Sequence, residues 1–407
     1  MSFVSHLEST FDGSTLPART LQTIHGGKPL LVRYDLAAIA AATRRESLRD
    51  RAPDLWRYEE LLPLEQRENR VSLGEGMTPL LDCPRLAERI GLNSLKIKDE
   101  SQLPTGSFKA RGMAMAVSLA KELGVTRVAA PTAGNAGGAL AAYAARAGME
   151  AWVFMPGDTP AVNIRETSLH GASTYLVDGL ITDCGAIVKE GVECMGWFDM
   201  STLREPYRIE GKKTMGLELA EQLDWKLPDV ILYPTGGGTG LIGMWKAFEE
   251  LEQIGWLDDI RRPRMISCQS STCAPLPRAF AAGERESQLF EDARTVAAGL
   301  RVPKALGDFL VLDGVYESGG CAVAAEEDRL LEWMQLACEL EGIALCPEAA
   351  ACIGAIVKGL TEGWIQSDDR VVLFNTAAAQ KYVELIDGPQ TWIDHKAVDW
   401  SRISGQS

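Results

Sequence analysis

The sequence predicts a doubly wound α/β protein of two domains with an N-terminal extension. Three observations lead there. The chain has 407 residues, 46% of them apolar, enough to bury two sizeable cores. From Ser94 onward, short apolar runs alternate with helical windows, the pattern of parallel α/β architecture. The helices predicted over Ala110 to Leu123 and Ala136 to Ala147 are each followed at once by a glycine, Gly124 and Gly148, which suits a left-handed C-cap.

Residues up to about 30 read as polar and turn-rich. An amphipathic helix is expected over Tyr34 to Leu48, then a proline-bounded charged stretch through Arg70, with Arg44 to Arg51 as one solvated helix face. Strands are expected at Arg127 to Thr132, Ala151 to Met155, Thr174 to Val177, Val230 to Tyr233, Met265 to Cys268 and Val371 to Phe374, buried on both faces. The expected division is residues 1–70 as extension, 71–118 with 226–390 as a large α/β domain, 119–225 as a small one, and 391–407 as a tail.

Charge and rare residues narrow the function. With 41 basic against 56 acidic residues the formal net charge is -15, which disfavours nucleic acid and anionic lipid as partners. No apolar run approaches the ~18 residues of a membrane span, and the N-terminus lacks the sections of a signal peptide. Nine scattered cysteines without a CxxC pair suit a reducing compartment, so a cytoplasmic enzyme is expected. Cys268 and Cys273 read as small core residues. The four histidines (6, 25, 170, 395) have no metal-ligand spacing.

Three loops carry chemistry. In KIKDESQLPTGSFKARG, a turn at Pro104 to Ser107 delivers Phe108 and Lys109 to the start of an apolar helix. Desolvation there would lower the amine's pKa and make it a Schiff-base nucleophile; a snorkelling lysine is the plain alternative. In VAAPTAGNAGG, a strand runs through Thr132, Ala133, Gly134 and Asn135 into a helix whose bare amides suit a carboxylate, although an ordinary strand-to-helix turn explains the segment equally well. In VILYPTGGGTG, Gly236, Gly237, Gly238, Thr239 and Gly240 separate a buried strand from a long helix, and so many glycines point to a phosphate cradle. Gly238, Gly240 and Gly243 match GxGxxG, but Asp258 and Asp259 precede the next strand, which ends in Gln269 rather than an acid. No lysine follows the last glycine as a Walker loop requires.

A nucleophilic lysine, an anion-ready helix end and a separate phosphate cup are together what pyridoxal phosphate needs. On these motifs, with GEGMTPL (74–80), PYRIEGKKT (206–214) and FNTAAAQKY (374–382), the chain resembles the fold type II pyridoxal-phosphate enzymes, most closely the threonine synthase branch, from about Leu73 to Glu384. The resemblance implies two doubly wound domains with the cofactor between them. It implies that Lys109 holds the cofactor with Phe108 beside it, that Asn135 contacts the ring hydroxyl, that Gly236 to Gly240 cradle the phosphate, and that Thr376 faces the pyridine nitrogen. Thr132, Ala133 and Gly134 would hold the substrate carboxylate, while Arg208 and Lys212, four apart on a helix face, would hold a substrate phosphate. Arg111 is a second choice, and Lys213 reads as a solvated helix residue.

The activity implied is conversion of O-phosphohomoserine and water to threonine and phosphate, in a homodimer acting on a small amino acid. The glycine cup is similar to that of the dehydratase and cystathionine synthase branches, so a serine or threonine dehydratase, or another elimination or replacement enzyme, is the alternative. A cofactor-binding protein without turnover is the third reading.

Overall fold

A computed structural model describes residues 2–386, 388 and 392–403. Much of the tail expected at 391–407 is therefore described, but residues 391 and 404–407 lie outside. Two parallel layers organise the chain. A six-stranded sheet runs in the order Cys321–Ala325, Arg264–Ser270, Val230–Pro234, Val371–Asn375, Leu95–Asp99, Leu80–Asp82, with only the edge strand Leu80–Asp82 antiparallel. A four-stranded parallel sheet runs Ser173–Val177, Glu150–Pro156, Arg127–Pro131, Phe198–Asp199. Helices such as Lys109–Glu122, Ala136–Ala147, Tyr207–Gln222 and Thr239–Gln253 cover and join them.

The two central strands of the larger sheet, Val230–Pro234 and Val371–Asn375, are buried at every residue, because helices cover both faces. The expectation of full burial fails at Ser173–Val177, an edge strand with Tyr175 and Leu176 exposed. The strands Leu95–Asp99 and Cys321–Ala325 were not among those expected. LKIKD carries two lysines, one of which, Lys98, is buried on its ion pair with Glu218; CAVAA is too weakly apolar to stand out.

The N-terminal region differs from its sequence reading. Residues Val4–Ser9 form the middle of a three-stranded antiparallel sheet, between Thr15–Leu16 and Leu30–Tyr34. Alternation buries Leu7, Leu30 and Val32 against the helix Lys109–Glu122. The helix expected over Tyr34 to Leu48 is only Leu36–Ala42: Asp35 caps it by accepting from the Ala38 amide at 2.9 Å, and it stops at Thr43. A 3₁₀ turn, Arg45–Asp50, follows and buries Leu48. Arg44 to Arg51 is thus not one solvated helix face; Arg45 pairs with Asp258 at 2.6 Å and Arg51 with Glu60 at 2.6 Å.

Parallel strands gather their carboxyl ends, and a ligand binds in the crevice outside them. Here Leu95–Asp99 leads to the lysine turn, Arg127–Pro131 to the Thr132–Asn135 turn, Val230–Pro234 to the glycine loop and Val371–Asn375 to Thr376. Two ion pairs cross this crevice, Lys381 with Glu166 and Arg301 with Asp158.

Candidate active site

The lysine turn is built under backbone constraint. Thr105 adopts φ 58° and Gly106 φ 57°, a conformation rare for a β-branched residue and commoner at functional sites than elsewhere. The turn is clipped to the strand-end motif: the Phe108 amide donates to the Thr376 carbonyl at 3.0 Å and the Ala378 amide to the Gly106 carbonyl at 2.8 Å. This clip brings Lys109 and Thr376 together. The Thr376 hydroxyl lies 3.6 Å from the Cys346 sulfur.

Lys109 opens the helix Lys109–Glu122. Its amine lies 4.2 Å from the centre of the Phe108 ring and, among the described residues, has no hydrogen-bond acceptor. Burial, reinforced by the Arg208 charge and opposed by Glu348, brings its pKa down to about 7. A neutral amine is therefore available near physiological pH.

Around the lysine, unsatisfied groups converge. The Asn135 side-chain oxygen is buried without a partner among the described residues, at the start of the helix Ala136–Ala147. In the glycine loop, none of the backbone amides from Gly236 to Leu241 donates a hydrogen bond among the described residues. These amides stand at the start of the helix Thr239–Gln253, where the dipole adds to their pull on an anion. Packing demands three of the glycines: a Cβ on Gly236 would overlap the Gly299 carbonyl, one on Gly238 the Val311 side chain, and one on Gly240 the Tyr233 hydroxyl. Gly237 would meet only the Thr202 methyl, at 3.0 Å. A free amine, an orphaned amide oxygen and a cradle of bare amides fit pyridoxal phosphate: Lys109 for its aldehyde, the cup for its phosphate, and Asn135 and Thr376 for its ring.

The turn at Thr132 to Gly134 also opens on the crevice. The Thr132 hydroxyl receives the Gly134 amide at 3.1 Å. Glu166 already lies against Gly138 on this helix and is neutralised by Lys381.

Of the expected substrate cations, only Arg208 retains free capacity. It is fully enclosed, one terminal nitrogen donates to the Met200 carbonyl at 2.9 Å, and its Nε has no hydrogen-bond partner among the described residues. Lys212 shares the helix Tyr207–Gln222 as predicted, but its amine donates to the Phe108 carbonyl and sits 3.8 Å from that ring's centre. Burial and the Lys109 and Arg208 charges hold that amine well below the usual lysine range. Lys212 thus braces the lysine turn rather than offering a cation to substrate. Arg111 is saturated by Glu100 and Glu218. Lys213 is not solvated; it is buried between Glu210 at 2.6 Å and Glu250 at 2.8 Å.

Two carboxylates escaped the sequence reading. Glu348 accepts from the Gly299 amide at 2.7 Å and from the Tyr382 hydroxyl, leaving its second oxygen buried and unpaired; nothing in CPEAAA marks it. Glu205 caps the helix Tyr207–Gln222, its Oε2 accepting from the Tyr207 amide at 2.7 Å and the Arg208 amide at 3.0 Å. An acid just before Pro206 was the available signal. Burial pushes its carboxyl up to about 8.

The comparisons agree with this geometry. The family described as "Pyridoxal-phosphate dependent enzyme" matches residues 71–377, and the chain belongs to that family. Within it, the chain is similar to two archaeal proteins named threonine synthase. The one from Methanocaldococcus jannaschii is 33% identical over 89% of each chain. The one from Methanosarcina acetivorans is 35% identical over 89% of this chain and 87% of the other. Among solved structures, maize serine racemase superposes with a TM-score of 0.66 at 22% identity, over 77% of this chain and 92% of that one. A tomato (Solanum lycopersicum) threonine deaminase gives 0.63 at 21%, over 76% and 87%. Both show the shared fold type II architecture. Pyridoxal phosphate is accordingly the cofactor. Among the described residues no helix is long and apolar enough to cross a membrane.

Proposed function

We propose that the chain is a threonine synthase, converting O-phosphohomoserine and water to threonine and phosphate. The observation that carries this reading is Arg208, an enclosed cation whose Nε has no hydrogen-bond partner among the described residues, close enough to depress the Lys109 pKa and carried on a different helix from the amide cup. An enzyme handling a second phosphate needs such a group. The archaeal relatives support the same activity.

When bound, pyridoxal phosphate supplies an electron sink at the substrate α carbon. Lys109, whose lowered pKa leaves a substantial neutral fraction near pH 7, takes up the α proton and returns it. The turn from Thr132 to Gly134, where the Ala133 amide donates no hydrogen bond among the described residues, orients the carboxylate end, and Arg208 holds the phosphate end. Thr376, a neutral hydroxyl, would face the ring nitrogen and favour its unprotonated form, a weaker sink that suits elimination and replacement at the β and γ carbons.

The reading also includes residues 71–118 with 226–390 as the large cofactor-binding α/β domain, 119–225 as a small α/β domain, and a homodimer acting on a free amino acid in the cytoplasm. The free state of all nine cysteines is in keeping with that compartment. One observation favours a serine or threonine dehydratase instead: Glu205 lies 4.0 Å from Arg208, and a carboxylate there would oppose a bound phosphate. Incubating the holoenzyme with O-phosphohomoserine, serine and threonine in parallel separates the two. Phosphate and threonine are expected from the first; keto acid from the others with no phosphate release would establish the dehydratase.

A further inference from the structure

We propose that Glu205 is the acid that protonates the departing phosphate. The inference rests on the threonine synthase reading. Breaking the bond between the γ carbon and oxygen leaves its electron pair on a phosphate that would otherwise depart as a strongly basic trianion. The overall step balances in protons. Three come off, from the α carbon, the β carbon and the added water; three go on, at the α carbon, the γ carbon and the departing phosphate. The oxygen of water bonds to the β carbon. Lys109 serves the α carbon, and Glu205 serves the phosphate and is reprotonated from solvent.

The geometry selects Glu205 for this task. Its Oε2 is fixed by the Tyr207 and Arg208 amides, so only Oε1 is free, and that oxygen is buried without a hydrogen-bond partner among the described residues. Arg208 is arranged in the same way: one terminal nitrogen is fixed on Met200, and Nε is buried and free. The two free atoms are 4.0 Å apart, beyond hydrogen-bond reach of each other. A phosphate oxygen that accepts from Nε is thereby held beside Oε1. A carboxylate would repel it, whereas a carboxylic acid donates to it.

The other cations in reach do not compete for the role. Arg208 does not lose its proton, and Lys212 is engaged with the Phe108 carbonyl.

The charges around Glu205 come from three elements. On the helix it caps are Arg208, which favours the ionised form, and the neutral phenol of Tyr207. On the strand Phe198–Asp199, the buried Asp199, 3.9 Å from Arg204, favours the acid form. Glu122, at the end of the helix Lys109–Glu122, faces Tyr207 and adds negative potential behind it. Desolvation outweighs the arginine, and the carboxyl keeps its proton up to about pH 8.

The test is Glu205→Gln in the holoenzyme. The amide oxygen can still cap the helix and the amide nitrogen can still donate, but no proton is transferred. Wild-type kcat on O-phosphohomoserine is expected to fall above about pH 8; the variant should lose about 100-fold in kcat and lack that alkaline limb. Glu205→Asp should keep the limb at intermediate rate. As a readout independent of turnover, inorganic phosphate is titrated calorimetrically into both proteins from about pH 7.5 to 9.5. Wild-type affinity should weaken across that range and the Gln variant's should not.

Wild-type protein that releases no phosphate from O-phosphohomoserine overturns the threonine synthase reading and this inference with it. Normal phosphate release combined with an alkaline limb retained in Glu205→Gln, or with a pH-independent wild-type phosphate affinity, overturns the role of Glu205 alone. If the Gln variant does not fold, the Asp variant's limb and the wild-type titration decide.

Discussion

Arg111 and Arg208 are both buried, lie on adjacent helices, and yet behave as opposites. Arg111 uses its whole guanidinium: Nε donates to Glu100 at 2.6 Å, and the terminal nitrogens donate to Glu218 at 2.8 and 3.0 Å, to Glu100 at 2.8 Å and to Thr214 at 3.2 Å. Lys98 completes this cluster by pairing with Glu218 and donating to the Thr78 carbonyl at 2.7 Å. Arg208 has one carbonyl partner and a free Nε. A buried polar group normally has its partners. The saturated arginine therefore holds the fold, and the unsaturated one is held by the fold for something else.

This contrast predicts that unsaturated groups, when removed, cost activity and that saturated ones cost stability. The largest effect is expected at Lys109, the freest group of all. Lys109→Ala should lower turnover by at least about 10⁴-fold while leaving the apo fold intact. Borohydride reduction of the holoenzyme followed by peptide mapping should place the cofactor on Lys109, and a label on another lysine would break the site assignment.

Next comes Arg111→Ala, which strands the buried Glu100 and leaves Glu218 with Lys98 alone, and should destabilise by about 3–5 kcal/mol in denaturant melts. A stable Arg111→Ala protein with impaired turnover would reverse the comparison. Arg208→Ala should reduce kcat/KM for O-phosphohomoserine by about 10- to 100-fold, the worth of one charge-assisted contact of about 1.5–3 kcal/mol. Its visible cofactor spectrum should be unchanged, because the cup at Gly236 to Gly240 supplies its own backbone amides.

The smallest effect is in stability against pH, at most about 1.4 kcal/mol per unit for each group. In the apo protein Lys109 has a folded pKa near 7 against 10.5 in an unfolded chain. The unfolded state binds more protons in that window, so stability rises with pH there. Glu205 is shifted the other way, to about 8 from 4.5, so its contribution is full below about 4.5 and is lost as pH rises to about 8. Melting Lys109→Ala and Glu205→Gln across this range should remove one slope each. A slope that survives its substitution would assign the titration elsewhere.

Much of this was legible in the chain. The strands Arg127–Pro131, Glu150–Pro156, Val230–Pro234 and Val371–Asn375 stood out because apolar runs between glycine-stopped helices have few other readings. The lysine turn and glycine loop stood out through residue types that are costly elsewhere. The three-stranded N-terminal sheet did not, because VSHLES alternates too weakly and pairs with a strand beyond a polar loop. Lys212 was misread for a related reason: helical spacing places it beside Arg208, but only packing reveals that Phe108 claims its amine. Glu348 depends on Gly299 and Tyr382, partners that sequence order separates widely.

The clip between the lysine turn and Thr376 also sets an order of assembly. Val371–Asn375, the last strand among the described residues, inserts between Leu95–Asp99 and Val230–Pro234 in the middle of the six-stranded sheet. A nascent chain that has not yet released this strand has a split sheet and no carbonyl to receive the Phe108 amide. Such non-local pairing is the slow part of folding. The reactive amine is therefore completed only when synthesis of the domain is nearly over, and cofactor capture reports that the chain has closed its sheet.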